Sequence, residues 1–183
     1  DQVQADVSPR GATRSVLRTE AITTMTHTLE DLLEALEDVD DATREEAAKA
    51  LAELGDPKTI DPLVSACSDD FWSVRAYAGC AVAKIGGPKA LEALVGLFND
   101  TIMEVRNQAV EATAKMGSAV VDRMIAALKD ERWRVREHAA KTCGEIRDKA
   151  AVDALIAVCR DRDGAVKSAA AEALGKIRDA KAV

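Results

Sequence analysis

Two groups of residues in this sequence have the types and spacing to do chemistry. The first are the nucleophiles and metal ligands: Cys67, Cys80, Cys143 and Cys159, with His27 and His138 as the only imidazoles. A transfer site needs a nucleophile within reach of a base, and a metal site needs three or four converging N, O or S ligands. No two cysteines form a CxxC pair, and the only neighbouring acid and imidazole are Glu137-His138. Cys67, Cys143 and Cys159 fall on apolar stripes and read as core, whereas Cys80 falls on the outward face of its helix as an incidental free thiol. The second group is periodic: Arg75, Arg106 and Arg136 recur with Asp69, Asp100, Asp130 and Asp161. A set of charges repeated at fixed spacing is expected to pair or cap between neighbouring elements rather than to act as a catalytic ladder. The expectation is therefore no catalytic residue, no metal and no cofactor.

The elements that position these residues come from an internal repeat. Val74-Arg75 returns as Val105-Arg106, Val135-Arg136 and Val166-Lys167, with Thr43-Arg44 one step earlier, at spacings of 31, 31, 30 and 31. Ala47, Ala78, Ala109, Ala139 and Ala170 follow at a fixed offset. Each copy ends at Leu54-Gly55, Ile85-Gly86, Met116-Gly117, Ile146-Arg147 or Ile177-Arg178, a helix stop with glycine in three of the five. Within one copy, Ile60, Leu63, Val64 and Cys67 stand at i, i+3, i+4 and i+7, after which Asp69-Asp70 breaks the run and caps a second helix. Val74, Ala78, Ala81, Val82 and Ile85 form the stripe of that second helix. A two-helix hairpin cannot bury both stripes alone, and stacked copies can. The fold class expected is all-α, a solenoid of about five helical hairpins with a 31-residue period. The copies run over about 26–55, 57–86, 88–117, 118–147 and 149–178, with a partial copy at 179–183.

Composition agrees. The chain has 183 residues and is 48% hydrophobic but only 3% aromatic, with 35 alanines, 10 glycines and 4 prolines, a mix suited to close-packed helices and unsuited to a β-sandwich. No apolar run is long enough to span a membrane and no secretory signal opens the chain, so the expected setting is cytoplasmic, with reduced thiols. Charge is lopsided: residues 1–55 hold 13 acids and 5 bases, net −8, and residues 56–183 hold 19 acids and 20 bases, net +1. That acidity argues against nucleic acid as a partner, although Arg132, Arg134 and Arg136 around Trp133 keep a nucleic-acid-binding alternative in view.

The string Val74-Arg75-x-x-Ala78-x-x-Ala81-Val82-x-x-Ile85-Gly86-x-Pro88-x-Ala90-Leu91-x-Ala93-Leu94-Val95 resembles the short HEAT-like repeat of the phycobilin-lyase type, over residues 26–178. The resemblance implies a right-handed stack of hairpins with the Val-Arg helices lining the concave side. It also brings an alternative function, a bilin-lyase-like enzyme or chaperone handling a chromophore. Deoxyhypusine hydroxylase, another HEAT-like protein, implies a di-iron site on His-Glu pairs. Here the one pair, Glu137-His138, is reversed and single, and His27 has no comparable place, so that metal function does not carry over.

A helical wheel places the remaining candidates. Opposite the stripe of each second helix lie Trp72, Ser73 and Tyr77, then Met103, Glu104 and Gln108, then Trp133, Arg134, His138 and Lys141. Three of the five aromatics sit on this face, and exposed Trp, Tyr, Met and Arg are the types that carry binding energy at interfaces. These ten residues are the expected contact surface for a protein or peptide partner, and the leading functional expectation is a non-catalytic interaction scaffold. Residues 1–25 read as an extension, flexible or non-native. The copy begun at Asp179 stops one turn in, leaving an apolar C-terminal edge through which the chain could associate or continue.

Overall fold

The computed structural model describes residues 28–179. The expected extension at 1–25, His27, and the partial copy after Asp179 lie outside the described residues. Within them the chain forms ten α-helices and no strand. In chain order these are α1 (Leu29–Ala35), α2 (Asp41–Leu54), α3 (Ile60–Ala66), α4 (Trp72–Ile85), α5 (Gly87–Leu97), α6 (Met103–Lys115), α7 (Val121–Ala127), α8 (Trp133–Ile146), α9 (Val152–Val158) and α10 (Gly164–Ile177). Odd and even helices pair as five hairpins, and each even helix packs against the next even helix. The solenoid expected from the periodicity is the fold observed.

In the second, fourth and fifth hairpins the first helix is short for a local reason. Pro57–Thr59, Gly117–Val120 and Lys149–Ala151 form 3₁₀ turns ahead of α3, α7 and α9, taking up residues that would otherwise lengthen the helix. Asp56 and Asp148 cap two of these turns by accepting from the amides of Lys58 and Ala150. The even helices run 13 or 14 residues and end at a backbone conformation that L side chains rarely adopt. Gly55, Gly86 and Gly117 have φ of 63°, 77° and 70°, while Arg147 and Arg178 take φ of 59° and 54° at the same place without glycine's freedom.

The core is one continuous strip of aliphatic stripe residues. Leu51, Leu63, Val74, Val82, Leu94, Phe98, Val105, Met124, Val135 and Leu155 are all fully buried. Alanine supplies the rest: Ala48, Ala78, Ala81, Ala109, Ala139, Ala140 and Ala170 sit where helices meet. Small side chains there allow close approach, as between α8 and α10. A Cβ on Gly144 would stand 2.8 Å from the Ala173 Cα and 3.0 Å from its Cβ. Gly79 is also crowded, by the Leu97 Cδ1 at 2.7 Å, but that atom ends a flexible side chain. Gly144→Ala must push two backbones apart and should lower stability by about 1–3 kcal/mol. Gly79→Ala should cost far less, because Leu97 can turn away and alanine favours the helix by about 1 kcal/mol. Urea denaturation of the two variants checks the difference, and equal losses would contradict the packing described.

Candidate functional site

The recurring Arg and Asp residues join successive hairpins. From the first turn of α4, Arg75 sends Nη1 back to the carbonyls of Asp69 and Asp70, at 2.8 and 3.1 Å. Its Nε and Nη2 reach forward to Asp100 of the next hairpin, at 2.6 and 3.0 Å. Arg44 does the same with the carbonyls of Asp38 and Val39 and with Asp69, and Arg136 with the carbonyls of Asp130 and Glu131 and with Asp161. Each aspartate also accepts from the amide two residues on, at Phe71, Ile102 and Asp163. These pairs are largely buried and bidentate, the geometry in which an arginine–carboxylate contact is strongest.

One junction departs from this pattern. Arg106 keeps its bonds to the carbonyls of Asp100 and Thr101, but its buried Nε has no partner. Its counterpart Asp130 is taken instead by Arg132, at 2.9 and 2.8 Å. Arg132 stands where other copies have Phe71, Ile102 and Asp163, and it brings a guanidinium nearer to Asp130. The chain is also one residue shorter at this junction, the single 30-residue spacing.

Electrostatics follow the geometry. The Arg136 hydrogen bond holds the Asp161 carboxyl below its ordinary value. At Asp69 and Asp100 burial pushes the carboxyl up, but the bonds from Arg44 and Arg75 and from the backbone amides outweigh it, so both also sit low. Burial pushes the thiols of Cys67 and Cys143 up to about 12, leaving them protonated and inert. Cys80 is also raised, by burial first, so the outward, incidental thiol of the wheel is partly enclosed. Among the described residues no group of three or more His, Cys, Asp or Glu is placed to hold a metal ion, and no helix is long and apolar enough to cross a membrane.

The ten wheel-selected residues divide. Trp72, Met103 and Trp133 are 40%, 64% and 39% exposed, each the first residue of its helix. Glu104 is exposed, and Tyr77 and Gln108 are half-buried, with the Gln108 amide bonded to Glu104. Arg134 is half-buried and lies over the Trp133 ring, 4.8 Å from its centroid. Lys141 is paired with Glu137 at 2.7 Å. Two residues need correcting. Ser73 is 5% exposed and donates to Glu45 of the preceding hairpin at 2.5 Å. His138 is 2% exposed, packs on Phe98, and bonds through Nδ1 to the Arg134 carbonyl. The wheel treated each helix alone, whereas these two positions face the neighbouring hairpin and are covered by it.

Hollows open between successive even helices. One of about 550 Å³ lies between α4 and α6, lined by Cys80, Ala83, Lys84, Ala112, Lys115 and Met116. Another, of about 700 Å³, crosses α6, α8 and α10 and is walled by charge, including Glu111, Lys141, Glu145, Glu172 and Lys176. A third, of about 120 Å³, holds Trp72 and Tyr77 against Glu45, Phe71 and Gln108. Glu45, Phe71 and Ile102, which is 39% exposed beside Met103, were missed from sequence. Extending the wheel to α2 would have found Glu45, since it shares its place in the copy with Ala76, Asn107 and Glu137.

Comparison with known proteins agrees with this architecture. The family model described as HEAT repeats matches residues 29–114 and 121–183. No curated protein matches the chain. Among solved structures, the CpcE–CpcF complex of phycocyanin lyase from Nostoc sp. PCC7120 is similar with a TM-score of 0.52 at 19% identity, over 96% of this chain and 70% of that one. The Schizosaccharomyces pombe condensin Cnd3–Cnd2 subcomplex is similar with a TM-score of 0.52 at 20% identity, over 92% of this chain and 26% of that one. Human deoxyhypusine hydroxylase is similar with a TM-score of 0.44 at 20% identity, over 87% and 74%. At 19% and 20% identity the likeness to the first two is one of fold.

The paired aspartates should govern acid stability. A carboxyl whose folded pKa is lowered contributes stability that is complete above its unfolded value, about 3.9, and is lost as pH falls through the folded value. His138 is also lowered, by burial first, so its unfolded form takes up a proton below about 6.5 while the folded ring does not. The thermal midpoint should therefore fall in two steps on acidification, a small one below about pH 6.5 that His138→Gln removes and a larger one below about pH 4. At neutral pH Asp100→Asn should cost about 1–3 kcal/mol by disabling a buried charged bond. Asp130→Asn, whose partner Arg132 is exposed, should cost less than about 1 kcal/mol. Calorimetry of both variants across pH checks the ranking.

Proposed function

The chain belongs to the HEAT-repeat family, and on that premise we propose that it is a non-catalytic scaffold whose even helices bind a protein or peptide partner along the line from Trp72 to Trp133. The observation that carries this reading is the row of Trp72, Met103 and Trp133. Three large apolar side chains stand 40%, 64% and 39% exposed at the same place in three successive copies. Packing gives no reason to leave that position open, and large side chains offered to solvent in a row are the anchors of an interface. Glu104, Arg134 and Lys141 flank the row with both signs of charge and set the orientation of what lies on it. The inert buried thiols and the commitment of the paired aspartates to structure support a binding role over a chemical one.

A displayed peptide library panned on the purified protein tests this, with each enriched sequence then measured as a synthetic peptide. Trp72→Ala and Trp133→Ala should each cost about 2 kcal/mol or more of binding, a fall of roughly 30-fold in affinity. Their thermal midpoints should move far less than a buried tryptophan's loss of about 3–5 kcal/mol would require. Peptides that bind both variants as well as the parent, or variants that unfold, would overturn the reading.

A further inference from the structure

At Trp133 the protein lays one of its own cations on the ring, the Arg134 guanidinium 4.8 Å from the centroid. Trp72 holds the same place two copies earlier, first in its helix, but the residue after it is Ser73. Where Trp133 has a following arginine, Trp72 has a carboxylate. Glu45 reaches across from α2, accepts a 2.5 Å bond from the Ser73 hydroxyl, and closes one side of the hollow of about 120 Å³ walled by Phe71, Trp72, Tyr77 and Gln108. Beside Trp133 the position equivalent to Glu45 is Asn107, which is neutral. Trp72 is thus flanked by a carboxylate with no cation following it, whereas Trp133 carries Arg134 on its ring and Glu137, standing where the earlier copy has Ala76, is held by Lys141.

The arginines of the first two hairpins are committed elsewhere, and Lys49, one turn beyond Glu45 on α2, is exposed to solvent. Arg44 and Arg75 are spent on Asp69 and Asp100, and Lys84 on the carbonyls of Ala52 and Glu53. The first hairpin, residues 28–55, carries ten acids against Arg44 and Lys49. Aromatic faces attract cations through their quadrupole, and a carboxylate at the same hollow adds a charge-assisted bond. The volume equals that of about four waters at ~30 Å³ each, room for the end of one side chain.

We propose that the hollow at Trp72 is a socket for a cationic side chain, the arginine or lysine of a partner peptide, held against the aromatic walls by Glu45. The partner rests on the groove reading above, while the socket itself is testable with a small cation alone. In a Trp133→Phe background, the Trp72 indole N–H resonance is followed during titration with n-butylguanidinium, n-butylammonium and neutral 1-pentanol. The two cations should shift the Trp72 and Tyr77 resonances saturably in the millimolar range, and pentanol should not. Glu45→Gln, folded by circular dichroism, should weaken the response at least fivefold, with Glu46→Gln as the control that leaves it intact. Equal shifts by pentanol, no response to either cation, or an unchanged response in Glu45→Gln would each overturn the socket. Library peptides that need Trp72 yet lack a basic residue would also overturn it while leaving the groove standing. A responsive socket beside peptides indifferent to both tryptophans would sink the groove alone.

Discussion

At three of the four junctions, a guanidinium that bonds backward to its own turn and forward to the next is the contact through which a hairpin learns where its neighbour lies. The apolar strip between helices supplies most of the stacking energy, but burial is non-directional and tolerates sliding. The arginine is not tolerant. Its planar fork meets two carbonyls on one side and a carboxylate on the other, and the carboxylate is fixed by the amide two residues further on. A buried ion pair adds little net stability over an apolar pair. Its consequence is register: at those junctions the turn of one copy is set against the turn of the next, and the first residue of the even helix emerges at a fixed place.

That fixed place is why the site exists. Alanine and glycine between the even helices bring their backbones close, as at Gly144 against Ala173. At the other end of the even helices, the first residues Trp72, Met103 and Trp133 stand partly exposed on the face. The differences among copies then carry the specificity: a tryptophan followed by serine beside a glutamate, a methionine followed by a glutamate, a tryptophan followed by its own arginine.

The repeat, its two helices and its stripes were legible because period and burial are written in the same residues. Val74, Ala78 and Leu94 report both. The role of Arg75 and Asp100 was legible as a class, pairing between hairpins, although not the bond back to the turn, which involves carbonyls that no side-chain pattern reveals. Ser73 and His138 were misplaced because a wheel knows one helix and these positions meet a second. Glu45 escaped notice for the converse reason, since its importance lies 28 residues away at Ser73. The captive state of Asp130 depended on a local contest with Arg132, a matter of reach and angle that spacing does not encode.

The contest at Asp130 bears on the mechanics of the array. Three of the four junctions are riveted by a largely buried guanidinium and carboxylate at the turn; between the third and fourth hairpins the Arg106 Nε is buried and idle, and the guanidinium–carboxylate link is a more exposed one, from Arg123 of α7 to Glu92 of α5. Pulled or twisted from its ends, a chain of like links yields at the weakest. The third junction, held by a more exposed pair than the other three, is therefore the one expected to yield first. That junction falls between Met103 and Trp133, so bending there changes the distance between those two residues while leaving Trp72 and Met103 in step.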